Sequence, residues 1–319
     1  MAFDLPWDRP LGRRGFLAGM IGLAGGTALG GAAAIRRLAR TSAPQIALSA
    51  GAPFAFLSTL STPQGTAFSV HVRGNEGASG SATFNNQRIT LVPLDGYLVA
   101  LFGAGQPAGD EQEIAPGDYT VHIEVTTTAG EPLSFDLPIT ISTTDFPVDA
   151  VTLPPDLDNL LDPNVVAQEA QQLAQIYGAQ TPQQLWSGLW IMPAQGPIST
   201  QFGEARSYNG GPVTGHHSGV DIALDAGTPI AACAAGRVAF TGRLAERGNF
   251  IAIDHGLGVF SGYAHLSEID AQPGQLVQPG DIIGKAGSTG LSTGPHLHWE
   301  CAVNGMNVDA LRWTRVLLP

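Results

Sequence analysis

Between residue 44 and residue 145 apolar side chains recur at every second position. Phe68, Val70 and Val72 alternate with polar neighbours in AFSVHV, and Tyr119, Val121, Ile123 and Val125 do so in DYTVHIEV. The run LSFDLPITI places Leu133, Phe135, Leu137, Ile139 and Ile141 on the same period. A period of two sends alternate side chains to opposite faces, so each segment predicts a strand with one face buried against a partner sheet. The intervening stretches GNEG, LDG, GAGQPAGDE, APGD and TAGE carry the glycine, proline and acidic residues of turns.

Strands this short and this numerous predict a small β-sandwich of immunoglobulin-like type over residues 44–145. The Pro-Gly-Asp-Tyr turn ahead of an alternating strand resembles bacterial domains of that kind. His71 and His122 occupy the polar phase of their strands and read as solvated histidines, so this part is expected to be a spacer or binding module. The period then breaks. Residues 146–189 open with DFPVDAVTLPPDLDNLLDP, whose Pro and Asp content reads as linker. Asp162 and Pro163 next supply an N-cap and a first-turn proline. Val166, Ala170, Leu173 and Tyr177 recur at helical spacing, and Gly178 can end the helix. The stripe predicts a helix that docks and fixes the two flanking parts relative to each other. From residue 190 to 319 the chain is again β-rich.

The first 43 residues read differently. Arg13 and Arg14 precede a glycine-interrupted apolar run from Phe16 to Ile35, followed by Arg36, Arg37 and Arg40. Arg-Arg-x-Phe-Leu resembles the twin-arginine export signal. About 20 apolar residues also suffice for a membrane anchor. Either reading puts the remainder outside the cytoplasm, in the periplasm or cell envelope.

Composition narrows the chemistry. A formal net charge of −12 with 13 % charged residues leaves no basic footprint for nucleic acid. Cys233 and Cys301 are too few for a disulfide scaffold and wrongly spaced for a cysteine zinc finger, which leaves one disulfide or two buried thiols. Six of the 8 histidines lie after residue 190: His216, His217, His255, His265, His296 and His298. In HHSGVDIAL, Gly219 and the β-branched Val220 and Ile222 disfavour a helix. On a strand, His217 and Asp221 share a face, as do His296, His298 and Glu300. Two histidines and an aspartate form a nitrogen and oxygen donor set that zinc accepts at catalytic sites, where a fourth position is left for water.

These motifs and their surroundings resemble the lysostaphin-type, or LytM-like, zinc endopeptidases of bacterial cell walls. The resemblance runs from Pro193 to Leu311 through GPISTQFGEARSYNGG, HSGVDIALDAGTPIAACAAGRVAFTG, GNFIAIDHGLGVFSGYAHLSEI and QPGQLVQPGDIIGKAGSTGLSTGPHLHWECAVNGMNVDALRW. It implies an antiparallel β fold with a groove, one zinc per chain held by His217, Asp221 and His298, and catalytic roles for His265 and His296. Peptidoglycan peptides are the implied substrate. Departures are small: Ala310 follows Asp309 where proline is common, and Cys233 and Cys301 replace commoner small or aliphatic residues. Alternation turns Cys301 and His216 away from the site, His255 reads as a turn or supporting residue, and Glu300 is placed to orient a ligand histidine.

Other chemistries fail on spacing. GDIIGKAG has three residues between its glycines where a phosphate-binding loop needs four, and Ala286 replaces the required Ser or Thr. GLGVFSG lacks its third glycine, so neither motif supports a nucleotide, and a Gly-x-Ser-x-Gly elbow is missing. Two alternatives to the enzyme remain at this level. One is a catalytically inactive envelope binding module that activates other wall hydrolases, and the other is a purely structural zinc domain.

Overall fold

The alternation of the N-terminal part is realised as strands with one buried face. In the computed structural model, which describes residues 54–73, 77–105 and 114–317, Gly117–Thr126 and Pro132–Ser142 pair antiparallel along ten residues. Val121, Ile123, Val125, Ile139 and Ile141 are buried, and their neighbours in sequence face outward. These strands are central in a five-stranded sheet ordered Ser61–Pro63, Pro132–Ser142, Gly117–Thr126, Ser79–Phe84 and Gln87–Thr90. A four-stranded sheet, ordered Phe54–Leu57, Thr66–Arg73, Tyr97–Ala104 and Val92–Leu94, shares its core. Phe68, Phe84 and Phe102 form the centre of that core, with ring centroids 5.0–5.7 Å apart. The twin-arginine segment lies outside the described residues, among which no helix is long and apolar enough to cross a membrane.

One strand does not alternate. Tyr97–Ala104 is buried at seven consecutive positions because both of its faces are covered. Leu98, Ala100 and Phe102 enter the sandwich core, while Val99 and Leu101 join the core of the C-terminal part. Asn304 ties the two together: its Nδ2 donates to the Leu101 carbonyl at 2.9 Å. The sandwich is therefore packed on the C-terminal part and is not held off as a spacer.

The C-terminal part is built on a sheet ordered Ile198–Thr200, Val220–Ala223, His296–Val303, Val259–Leu266, Gly248–Gly256, Gly236–Leu244 and Leu276–Val277, with Met306–Val308 paired to His296–Val303. Its central strands are buried on both sides, which explains why VFSGYAHL reads as nearly continuous burial without a clear period. The linker is more ordered than its Pro and Asp content suggests. Val148–Val151 pairs parallel with Ala205–Tyr208, which in turn pairs with Val213–His216.

The predicted helix forms over Pro163–Tyr177, with the Asp162 carboxylate accepting the Asn164 N–H at 2.8 Å. Its docking face is rotated from the predicted stripe. Val166 and Ala170 are exposed, whereas Glu169 and Tyr177 are buried and Leu173 and Ile176 pack against a core cluster that includes Phe250 and Phe260. A buried glutamate defeats a pattern read from apolar residues alone. Gly178 follows in the right-handed region, so the helix does not end in the left-handed cap that glycine favours.

His255 is also a correction. It belongs to the core on Gly248–Gly256, fully buried, with Nδ1 donating to the Ala235 carbonyl at 2.8 Å and Nε2 on the Ser261 hydroxyl at 2.8 Å. Burial pushes its pKa down to about 4, against a slight upward pull from the Ala235 carbonyl. The unfolded chain, with the ordinary value near 6.5, binds the proton first. Stability from this group is thus complete above about pH 6.5 and falls as the pH drops toward 4, by about 3 kcal/mol in all. Denaturant unfolding at pH 7 and pH 5 should show about 2 kcal/mol of this loss, and His255→Gln should flatten the slope. An unchanged slope in that variant would contradict the assignment. Cys233 and Cys301 are both buried free thiols, which settles the choice against a disulfide.

Candidate metal centre

His217 and Asp221 converge, although not along one strand as their spacing suggested. Val213–His216 belongs to one sheet and Val220–Ala223 to the next, and His217–Gly219 is the crossing between them. Gly219 is needed for close approach: a Cβ there would lie 2.5 Å from the Trp299 carbonyl and 2.9 Å from the His298 ring. Asp221 and His298 are directly opposed in register, and Ala223 opposes His296. On the other side His298 opposes Ala264, which brings His265 alongside.

Three donor atoms meet at one point. His217 Nε2 and His298 Nδ1 each lie 2.9 Å from Asp221 Oδ1, and 2.9 Å from each other. The outer partners assign the tautomers. His217 Nδ1 donates to the Gln201 carbonyl at 2.8 Å, so its Nε2 presents a lone pair. His298 Nε2 faces the Ser218 hydroxyl at 3.3 Å and Glu300 Oε2 at 3.5 Å, so its Nδ1 does the same. Three lone pairs this close repel unless a cation lies among them, and an ion about 2 Å from each atom fits over a triangle of this size. Among the described residues, this is a cluster that could hold a metal ion, and all three members are buried.

Two further histidines border it. The His265 and His296 rings are 4.7 Å apart, and His296 Nε2 is 3.8 Å from Asp221 Oδ1. Each turns its outer nitrogen to a backbone carbonyl: His265 Nδ1 donates to Thr289 at 2.7 Å, and His296 Nδ1 to Gly294 at 2.8 Å. Their Nε2 atoms are left with lone pairs. His265 takes a left-handed backbone, φ 60°, a costly conformation for a residue with a Cβ. Its N–H is held by the Arg247 carbonyl at 2.8 Å.

The charges of the cluster follow from burial and neighbours. Burial pushes His265 down to about 3, helped by the charges of His296 and His298, so it is neutral at neutral pH. Burial would raise Asp221, but when no metal lies between them the His217 and His298 rings can donate to it instead, and those hydrogen bonds outweigh burial and hold the carboxyl well below its ordinary value. His217 is lowered by burial, which Asp221 only partly opposes. His298 is raised: burial opposes the charge, but Asp221 and Glu300 favour it more.

The structure thus brings together all five residues singled out by the histidine motifs, with Glu300 behind His298. His216 ends its edge strand and is half-buried. The outer contacts were not legible: Gln201, Thr289 and Gly294 act through backbone carbonyls, which carry no sequence signal. Arg206 was also missed. It reaches Asp221 Oδ2 at 3.4 Å and Asp149 Oδ2 at 3.1 Å, so the linker strand touches the site's edge. Gly219→Ala should weaken metal binding at least about ten-fold and cost about 1–3 kcal/mol in stability, because the Trp299 backbone cannot yield. Chelator competition and denaturant unfolding measure both, and wild-type affinity in that variant would contradict the close-approach argument.

Three converging protein donors leave a fourth position open, as catalytic zinc sites do, whereas structural zinc sites close all four positions with protein. Residues 215–310, which include all five side chains, match peptidase family M23. The chain carries a peptidase M23 domain. It is 47 % identical over 93 residues to the DD-carboxypeptidase/endopeptidase Mpg of Neisseria meningitidis, covering 29 % of this chain and 21 % of that protein. It is 40 % identical over 118 residues to the peptidoglycan DD-endopeptidase ShyA of Vibrio cholerae, covering 36 % and 27 %. The chain therefore spans about a quarter of the length of these relatives. A peptidase M23 structure from Pseudomonas aeruginosa superimposes with a TM-score of 0.54 at 28 % identity, covering 76 % of this chain and 91 % of that one. Its coverage extends the likeness well beyond the M23 domain.

Proposed function

We propose that this protein is a zinc-dependent endopeptidase that hydrolyses peptide bonds in peptidoglycan stem or cross-link peptides. His217, Asp221 and His298 hold the zinc, and His265 and His296 are the catalytic residues. The observation that carries this reading is the triangle of three converging donor atoms, with the His265 and His296 rings beside it and each Nδ1 held by a backbone carbonyl. Zinc bound there supplies a Lewis acid for the scissile carbonyl and brings the pKa of a coordinated water to about 7.

The chain's own groups do the rest. Thr289 and Gly294 fix the rings of His265 and His296 so that each Nε2 faces the reacting atoms. One Nε2 accepts the proton of the attacking water, and the resulting imidazolium donates to the carbonyl oxygen or the leaving amine. A purely structural zinc domain has no use for these two rings. An inactive binding module has no use for an intact donor set.

Two relatives named as DD-endopeptidases make a cross-link between D-amino acids the first bond to examine. Such a substrate puts the protein outside the cytoplasm, in agreement with the twin-arginine-like segment at Arg13 and Arg14. Mass spectrometry of fragments released from purified peptidoglycan tests the proposal. New amino and carboxyl termini at a peptide bond are expected. Intact cross-links and stems after incubation with the zinc-loaded protein would refute it.

A further inference from the structure

The metal ligand His298 is backed by a buried charge chain that begins outside the M23 domain, on the linker helix. Arg247 is its hub. The guanidinium grips Glu300 through two parallel hydrogen bonds, Nε to Oε1 and NH2 to Oε2, both 2.9 Å. Its NH1 donates to Glu169 Oε1 at 3.0 Å. Glu169, from Pro163–Tyr177, also accepts the backbone N–H groups of Glu246 at 2.6 Å and Arg247 at 3.2 Å. From the last turn of the same helix, the Tyr177 hydroxyl donates to Glu300 Oε1 at 2.7 Å. The Ser218 hydroxyl lies 3.2 Å from Glu300 Oε2 and 3.3 Å from His298 Nε2.

The sequence makes room for this chain of contacts. A Cβ on Gly262 would meet Glu300 Cγ at 2.6 Å and the Tyr177 hydroxyl at 2.7 Å. Glu169 is 2 % exposed and Glu300 0 %. Burying two carboxylates and one guanidinium is costly unless every charge is answered. Arg247 answers one negative charge, so the cluster keeps one unit in excess. His298 Nε2–H is the polar hydrogen on the metal side that faces it. A histidine ligand that gives its outer N–H to a carboxylate is oriented and made a stronger donor.

We infer that Glu169 and Tyr177 of the linker helix are positioning residues for the metal site, acting through Arg247 and Glu300 on His298. The inference rests on the reading of His298 as a metal ligand. Glu169 shares Arg247 with Glu300 and so leaves more of Glu300's charge for His298. Tyr177 fixes the orientation of the Glu300 carboxylate. Arg247 also holds the strained backbone of His265 through its carbonyl, so one residue braces a ligand and a catalytic histidine together.

The test uses the full chain. Zinc affinity is measured by competition with a chelating dye, and the visible spectrum of the cobalt(II)-substituted protein is recorded, for wild type, Glu169→Gln, Arg247→Lys and Tyr177→Phe. Gln keeps the shape but has one acceptor oxygen where Glu169 uses two, so it keeps only one of the two N–H contacts, while Lys keeps the charge but not the fork. Glu169→Gln and Arg247→Lys should each weaken zinc binding by about 10–100-fold and shift the cobalt bands. Tyr177→Phe, which leaves the ring packing in place, should weaken it several-fold and decides the matter if the charge variants do not fold. Folded variants with wild-type affinity and an unshifted spectrum would overturn the inference and leave the metal site standing. A wild-type protein that binds no zinc would overturn the metal site itself.

Discussion

His298→Ala is expected to lose bound metal and hydrolysis together. Removing Nδ1 leaves only His217 and Asp221, whose donor atoms are 2.9 Å apart, and two donors do not hold zinc at a three-ligand site. The ring also separates Ser218 and Glu300 from Asp221, so its loss exposes one buried charged group to the other. Zinc content below about a tenth of an equivalent is expected after purification, with peptidoglycan turnover at background. The measurement pairs elemental analysis with fragment release. A variant retaining a full equivalent would place the third donor elsewhere, with His296 the first candidate at 3.8 Å from Asp221.

His296→Ala and His265→Ala should give the opposite separation of metal from rate. All three ligands remain, so zinc content should stay near one equivalent. Loss of one group that stabilises the developing oxyanion typically costs about 10²–10³ in turnover, and lost proton transfer costs a similar factor. A fall of two to three orders of magnitude with little change in zinc is therefore expected from each. His265→Ala should also relieve the left-handed strain at that residue only slightly, since alanine keeps the Cβ that makes φ 60° costly. Full activity in either variant would remove that residue from the mechanism.

The donor set was legible through the resemblance: His-x-x-x-Asp and His-x-His each occur by chance, and only the family's motifs separated His217, Asp221 and His298 from the neighbouring histidines. The geometry behind it was only partly so. His217 and Asp221 were expected to share a strand face, yet the chain turns between two sheets, and Gly219 makes the meeting possible. His296 and His298 did follow the strand rule, since His296–Val303 is a regular central strand. The sandwich strands were readable wherever one face meets solvent, as in Pro132–Ser142. The rule failed at Tyr97–Ala104, whose second face is covered by the C-terminal part. The linker helix shows the same limit: its docking face includes Glu169, which is buried by an arginine more than 70 residues away in sequence. Pairings of that kind depend on tertiary placement and leave no local period.

Zinc titration of the metal-free protein tests the central claim most directly. After removal of metal with a chelator, zinc is added in sub-stoichiometric steps while release of peptide fragments from purified peptidoglycan is followed. Hydrolysis should be absent at the start, rise in proportion to added zinc and level off at one equivalent per chain. Hydrolysis that proceeds unchanged without metal, or that stays absent at a full equivalent, would contradict a zinc endopeptidase built on His217, Asp221 and His298.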